Sequence, residues 1–209
     1  MSTRVNIRLI TNDGMDMDKR QQLIEAAFSL FYRQGIHAVG INQILKQAGV
    51  AKKTLYAHFE SKEALVKAVL AYRDQRFLVW LDTSMQSVKP GKAAILAMFD
   101  ALDDWFNDRV PTLAAFHGCF FINTCSEYSE PSSTIYQQCR RHKLSVRKLI
   151  EQQVNQINFD GDNQKLTDNI TMLKEGAIVT AQVVGDKSAA IKAKNLAECL
   201  LAAEWLSLQ

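Results

Sequence analysis

Residues Ile41 to Leu65 read INQILKQAGVAKKTLYAHFESKEAL, two short helical patterns set around an Ala48-Gly49-Val50 turn. In the first, Ile41, Ile44, Leu45 and Ala48 fall on one face at helical spacing, and Gly49 can turn the chain at positive φ without a Cβ clash. The second, from Lys52 to His58, is too short to be stable alone and must dock on its neighbours. Leu55 and Phe59 are its inward positions. Lys52, Lys53, Thr54, Tyr56 and His58 then share its outer side, a set of cations, hydroxyls and one imidazole suited to phosphate oxygens and base edges. The pattern is that of a DNA-reading helix-turn-helix.

Positions 18 to 66 resemble the N-terminal DNA-binding domain of the TetR (tetracycline-repressor-like) transcription regulators, most clearly in AGV, TLYAHF and SKEAL. Two residues depart from that family's pattern. Gly40 stands where a Ser or Thr usually opens the first helix of the pair, and Ala51 where a Ser usually opens the recognition helix. Neither offers a hydroxyl to a phosphate, a loss for which Lys53 can compensate. Lys62, at the start of the following helix, is a further expected phosphate contact. The resemblance also implies a ligand pocket in a second, helical domain and a dimer built from the last two helices.

The length of 209 residues suits a small DNA-binding domain plus a larger one, and 47% hydrophobic residues supply a sizeable core. Net charge is +3, unevenly spread: residues 1–80 hold twelve Lys or Arg against seven Asp or Glu, giving +5 and leaving −2 for the rest. The basic end is the DNA end, which fits a localised binding face better than a general nucleic-acid coat. No run approaches the ~18 apolar residues that span a bilayer, and the first sixteen residues carry neither an apolar signal stretch nor a cleavage site. A cytoplasmic protein without membrane partners is expected.

The periodicity predicts an all-α fold of about nine helices. Residues 1–16 read as a disordered tail, 17–62 as the helix-turn-helix domain and 63–209 as the ligand-binding and dimerisation domain. The tail has two alternatives: a later start at Met15 or Met17, or an arm that puts Arg4 and Arg8 into a minor groove. Asp16 or Asp18 is expected to cap a first helix that stops at Gly35, and Ser61 a long fourth helix that runs to Lys89-Pro90-Gly91. Further helices are predicted at 91–108, 112–127, 131–157, 163–184 and 188–207.

The predicted fifth and sixth helices are rich in aromatics. Phe99, Phe116, Phe120 and Phe121 supply apolar walls, while His117, Asn123 and Glu127 supply polar anchors, the usual make-up of a small-molecule site. Plain core packing is the better account of any single member, and the resemblance favours the pocket only for the group. A pocket of this kind favours an uncharged or cationic lipophilic effector of unknown identity. In the last two helices Gly176, Ala177, Ala181, Ala193 and Ala197 form small-residue strips that allow close helix approach, here to a second copy of the chain.

Cys119, Cys125, Cys139 and Cys199 show no CxxC and are expected as free thiols. Cys139 beside Arg140, Arg141, His142 and Lys143 suggests a cation-stabilised thiolate, and with it a regulator switched by thiol oxidation as the second reading. Cys139 and His142 lack further ligands at metal-site spacing, so no metal or cofactor is expected. No GxSxG, HExxH, phosphate-binding glycine loop or dinucleotide fingerprint occurs, and an enzyme is not expected. The sequence therefore reads as a homodimeric repressor that leaves a palindromic operator when a small lipophilic molecule binds.

Overall fold

The computed structural model describes residues 12–157 and 161–202, with side chains from residue 19 onward. Arg4, Arg8 and most of the expected tail lie outside the described residues. The helices are α1 (Asn12–Gln34), α2 (Ile41–Ala48), α3 (Lys52–His58), α4 (Lys62–Gln86), α5 (Lys92–Phe106), α6 (Phe120–Glu127), α7 (Thr134–Val154), α8 (Asn163–Val179) and α9 (Ala189–Leu201). A single 3-10 turn, Pro111–Leu113, follows α5, and a π-helical turn, Thr180–Val184, extends α8. No strand occurs among the described residues, so the fold is all-α as the periodicity predicts.

The chain divides into two compact units, residues through Val69 and residues from Leu70. The division lies inside α4, not at its start as expected, and residues 62–69 bury Leu65, Val66 and Val69 with the first unit.

In the first unit α1 packs on α2 and α3 and buries Leu23, Ala27, Leu30 and Phe31. Ile44, Leu55 and Phe59 complete the core. Burial of one such side chain contributes about 1.5–3 kcal/mol, which is how a seven-residue α3 is held. The turn works as its glycine predicts: Gly49 sits at φ 64°, ψ 33°, and its N–H closes on the Leu45 carbonyl. Gly40 is the N-cap of α2, where the Gln43 side chain accepts its N–H at 2.8 Å. Ser61 Oγ accepts the Ala64 N–H at 3.1 Å and so caps α4. Helix α1 already begins at Asn12, so Asp16 and Asp18 lie within it instead of capping it.

In the second unit α5 lies against α9, and α8 packs between α7 and α9, with α6 on α7. The helix expected over 112–127 is broken. Ala114 at φ 63° and Gly118 at φ 84° take the backbone out of helical geometry, and only Phe120–Glu127 is helical. Phe116 and His117 therefore stand on a loop, where the Asp108 carboxylate accepts the Phe116 N–H at 2.6 Å. Helix α7 is shorter than predicted because Ser133 caps it, its Oγ accepting the Ile135 N–H at 3.3 Å. The predicted 163–184 helix changes pitch at Thr180, where hydrogen bonding passes to the π pattern.

Candidate nucleic-acid interface and interior polar cluster

Helix α3 presents the expected face. Lys52, Lys53 and Tyr56 are exposed, Tyr56 to 48%, and the Lys52 ammonium lies 5.9 Å from the Tyr56 ring centroid. Thr54 and His58 are half-buried, and Leu55 behind them is fully buried. The exposed groups are thus fixed to a docked helix whose orientation is set by Leu55 and Phe59, as base reading requires. Lys62 is placed differently. It is half-buried, donates to the Ile36 carbonyl at 2.6 Å and lies over the Phe31 ring, tying the start of α4 to the turn after α1. On the far side of α3, Arg20 of α1 lies 5.2 Å over the Phe59 ring.

Most of the phenylalanines and tryptophans of the second unit pack into a largely buried cluster. Phe116 meets Trp105 at 4.9 Å and Phe106 at 4.8 Å between ring centroids, and the Lys187 ammonium lies 4.5 Å over it. Phe99, Phe120 and Phe121 are buried. Of the expected polar anchors, His117 is exposed. Asn123 donates to the His117 carbonyl at 3.2 Å and accepts from Gln182 at 2.9 Å. Glu127 is half-buried at the end of α6. None of these three is buried with the aromatic rings.

The polar groups inside are others. His142 is buried, stacks on Phe121 at 3.5 Å and pairs through Nδ1 with Asp74 at 2.7 Å. Burial lowers its pKa to about 4, against the opposing hydrogen bond to the Asp74 carboxylate. Lys174, 1% exposed, pairs with Glu175 at 2.7 Å, and Lys143 bonds the other oxygen of that carboxylate at 2.5 Å. Burial and Lys143 hold the Lys174 pKa below the usual lysine range. Burial alone would raise Glu175, but Lys174 and Lys143 pull it down to about 2. Buried Arg73 donates to the Leu113 carbonyl at 2.8 Å. Sequence reading missed this set, although a signal was present. Ile170, Lys174, Ala177, Ile178 and Ala181 form one inward stripe on α8 and its π turn, and Ile135, Cys139, His142, Val146 and Ile150 one on α7. The ionisable member of each apolar stripe marks the interior site.

Cys139 does not behave as its basic sequence neighbours suggest. It is 1% exposed, and burial, with Cys125 and Cys119 nearby, raises its pKa far above the ordinary thiol range despite Lys143. Arg140 and Arg141 point to solvent.

Helices α8 and α9 border an apolar groove of about 590 Å³ that includes Met172, Gly176, Ala193 and Leu196. Ala177, Ala181, Ala193 and Ala197 are buried within the chain. Gly176 is exposed, and beside it Met172, Val179, Val183 and Leu196 leave a long apolar stripe open.

Residues 23–69 match a family model described as bacterial regulatory proteins, tetR family. Over 132 residues the chain is 30% identical to the HTH-type transcriptional repressor ComR of Escherichia coli, covering 62% of this chain and 61% of ComR. It is 32% identical over 85 residues to the HTH-type transcriptional regulator SrpR of Pseudomonas putida, covering 41% of this chain and 40% of SrpR. The matches thus span less than two thirds of either relative. A TetR-family transcriptional regulator from Streptomyces coelicolor superposes with a TM-score of 0.74 at 28% identity, over 88% of this chain and 95% of that one.

Proposed function

We propose that this chain, which belongs to the tetR family of bacterial regulatory proteins, is a homodimeric transcriptional repressor whose α3 enters the major groove of a palindromic operator. The observation that carries this reading is the exposed Lys52, Lys53 and Tyr56 face of a short helix locked from behind by Leu55 and Phe59. Phosphate contacts from the lysines supply salt-dependent affinity, and Tyr56 and Thr54 reach base edges. A two-fold dimer repeats this head about 34 Å away, one helical turn along the duplex. The open stripe of Met172, Val179, Val183 and Leu196 supplies apolar area for that dimer.

The effector of this reading is a small lipophilic molecule that parts the aromatic cluster around Phe99, Phe116, Phe120 and Phe121. The cluster is closed, so the ligand selects a more open state and shifts the population toward it. Because α4 contributes residues to both units, its displacement in the second unit is carried along one continuous helix to the first. Selection of bound duplexes from a random pool, followed by gel shift, tests the DNA reading. Enrichment of a palindrome with half-sites about one turn apart is expected, and recovery of no common sequence overturns it. A thermal-shift screen tests the effector: a lipophilic hit at a hundred times its Kd stabilises by about 2.7 kcal/mol and releases the selected duplex.

A further inference from the structure

We propose that the interior of the second unit binds a lipophilic carboxylate, whose acid group meets Arg73 and Lys174 beside the Phe77 ring while its apolar body lies among the neighbouring aromatic side chains. Phe77 is the hub of that interior. Its ring centroid stands 5.3 Å from those of Trp105 and His142 and 5.1 Å from that of Trp80. The Arg73 guanidinium lies 5.8 Å over the same ring and the Lys174 ammonium 5.9 Å over it. Two cations, 2% and 1% exposed, thus converge on one apolar side chain. The π face of a phenylalanine attracts a cation, but a full negative charge at that place attracts it far more strongly where water is excluded.

The charge beside the ring is not balanced. Glu175 is one carboxylate with two ammonium partners, Lys174 on one oxygen at 2.7 Å and Lys143 on the other at 2.5 Å, so the three groups together carry +1. Asp74, the other carboxylate of the cluster, pairs with His142 Nδ1 at 2.7 Å. Arg73 adds a further buried cation, with Nη1 donating to the neutral Leu113 carbonyl. Excess charge in a poorly solvated interior opposes folding, and a bound monoanion relieves it. A carboxylate matches an excess of one. A phosphate monoester, at about −2, would overshoot it.

A second group points the same way. Trp105 is 1% exposed, and its indole N–H is buried without an acceptor. An unmatched buried donor carries the full cost of losing water, and an acceptor that arrives with a ligand removes that cost. The Arg73 guanidinium lies 5.6 Å over this indole, so the donor and the positive charge that a carboxylate requires belong to adjoining side chains. The sign is opposite to that of the uncharged or cationic effector which the aromatic residues alone favour. The site belongs to the aromatic cluster at which the effector of the proposed repressor acts, so its regulatory use rests on that reading, whereas the binding chemistry does not.

Calorimetric titration of the full chain with ligands that share a body and differ in headgroup decides the chemistry. Decanoate, decanol and decylamine form one set, each below the concentration at which it forms micelles, and naphthoate, naphthylmethanol and naphthylmethylamine form a second with a rigid body. In at least one set the acid is expected to bind about tenfold more tightly than the alcohol, and the amine more weakly than either. Lys143→Met removes the excess charge and leaves Lys174 on Glu175. Since the Lys143 side chain is 28% exposed, the variant is expected to fold, to keep its affinity for the alcohol and to lose the preference for the acid. Lys174→Met, which leaves Lys143 on Glu175, is expected to do the same. An alcohol or amine bound as tightly as its acid, an acid preference that survives both substitutions, or no acid bound from either set would each overturn the proposal. For the regulatory part, the acid that binds is expected to release a selected duplex. An acid that binds with the expected preference and leaves the duplex in place would count against its role as effector in the repressor reading, while the titrations still decide the site.

Discussion

The two units bury different chemistry. Among the described residues every buried polar or charged side chain, Arg73, Thr124, His142, Thr167 and Lys174, belongs to the second unit, and the buried core of the first is apolar throughout. A head that only has to present groups outward needs a rigid and inert interior. A unit that carries ionisable groups inside pays several kcal/mol to desolvate them, so its stability depends on pairing and on pH in a way the head's does not. This contrast predicts where mutation and acid will act.

The largest effect is expected at Glu175. Replacing it with Ala leaves the Lys174 ammonium, 1% exposed, without its carboxylate and should cost about 3 kcal/mol or more in urea denaturation. Lys174→Met in the same background restores most of that loss, because an apolar chain of similar volume then fills the site. If Glu175→Ala cost no more than an exposed-site substitution, the second unit would have no buried ion pair of consequence, and the contrast with the head would fail.

Acid provides the next largest effect. His142 is kept neutral with a pKa of about 4, below its usual value, so the unfolded chain takes up a proton first as pH falls. The stabilisation is complete above the unfolded value near 6.5 and is lost between there and about 4, by about 3 kcal/mol in all. Glu175, held at about 2, adds a second loss from about 4.5 downward, since a depressed carboxylate stabilises only while ionised. His142 faces Asp74, with Lys143 and Lys174 near it, and Phe77 and Phe121 cover the ring. A His142→Leu variant should lose the first phase and keep the second. A stability profile unchanged between pH 6.5 and 4.5 in the parent protein would refute the burial argument.

Much of the head was legible because its function faces outward on a periodic motif. Gly49 could be placed at positive φ, Leu55 and Phe59 inside and Lys53 and Tyr56 outside from spacing alone, and each stands so. The second unit was legible as helices but not as a site. Reading it required knowing which of Glu127, His117, His142 and Lys174 turns inward. The answer depends on the break at Ala114 and Gly118, which puts His117 on a loop, and on which stripe of α7 and α8 meets its neighbours. The alanines of α8 and α9 illustrate the same limit. Their size foretold close packing, but only the fold assigns these alanines to the interior of one chain.

That assignment changes the test of assembly. Ala181 is buried in the chain, so a Glu there would damage the fold whether or not a dimer exists. Val183, 76% exposed, is the cleaner site. Val183→Glu should leave the monomer's stability within about 0.5 kcal/mol and shift the protein toward monomer in light scattering, as the charge would be buried unpaired in the dimer. An unchanged dimer would move the interface elsewhere.

On the head, Tyr56→Ala and Lys53→Ala are each expected to weaken binding to a selected duplex by roughly 1–3 kcal/mol while leaving thermal stability unaltered, because both side chains are exposed. Loss of stability without loss of affinity would invert the comparison and make α3 structural.

The smallest effect is expected at Lys62, and it tests whether the basic residues of the head act alike. A lysine at the start of a helix beside the reading pair looks like a phosphate ligand, and removing one such contact lowers the salt slope by about one unit per half-site. Its ammonium, however, already donates to the Ile36 carbonyl at 2.6 Å and lies against the Phe31 ring. That bond joins the chain before α2 to the start of α4 and so braces the head from behind. Lys62→Met should therefore lower folding stability by about 1 kcal/mol, the net worth of one hydrogen bond. The salt slope should change by less than one unit per half-site, in contrast with Lys53→Ala, where a full unit is expected. A full unit lost at Lys62 with stability unchanged would mean that the ammonium leaves Ile36 for the duplex when DNA binds.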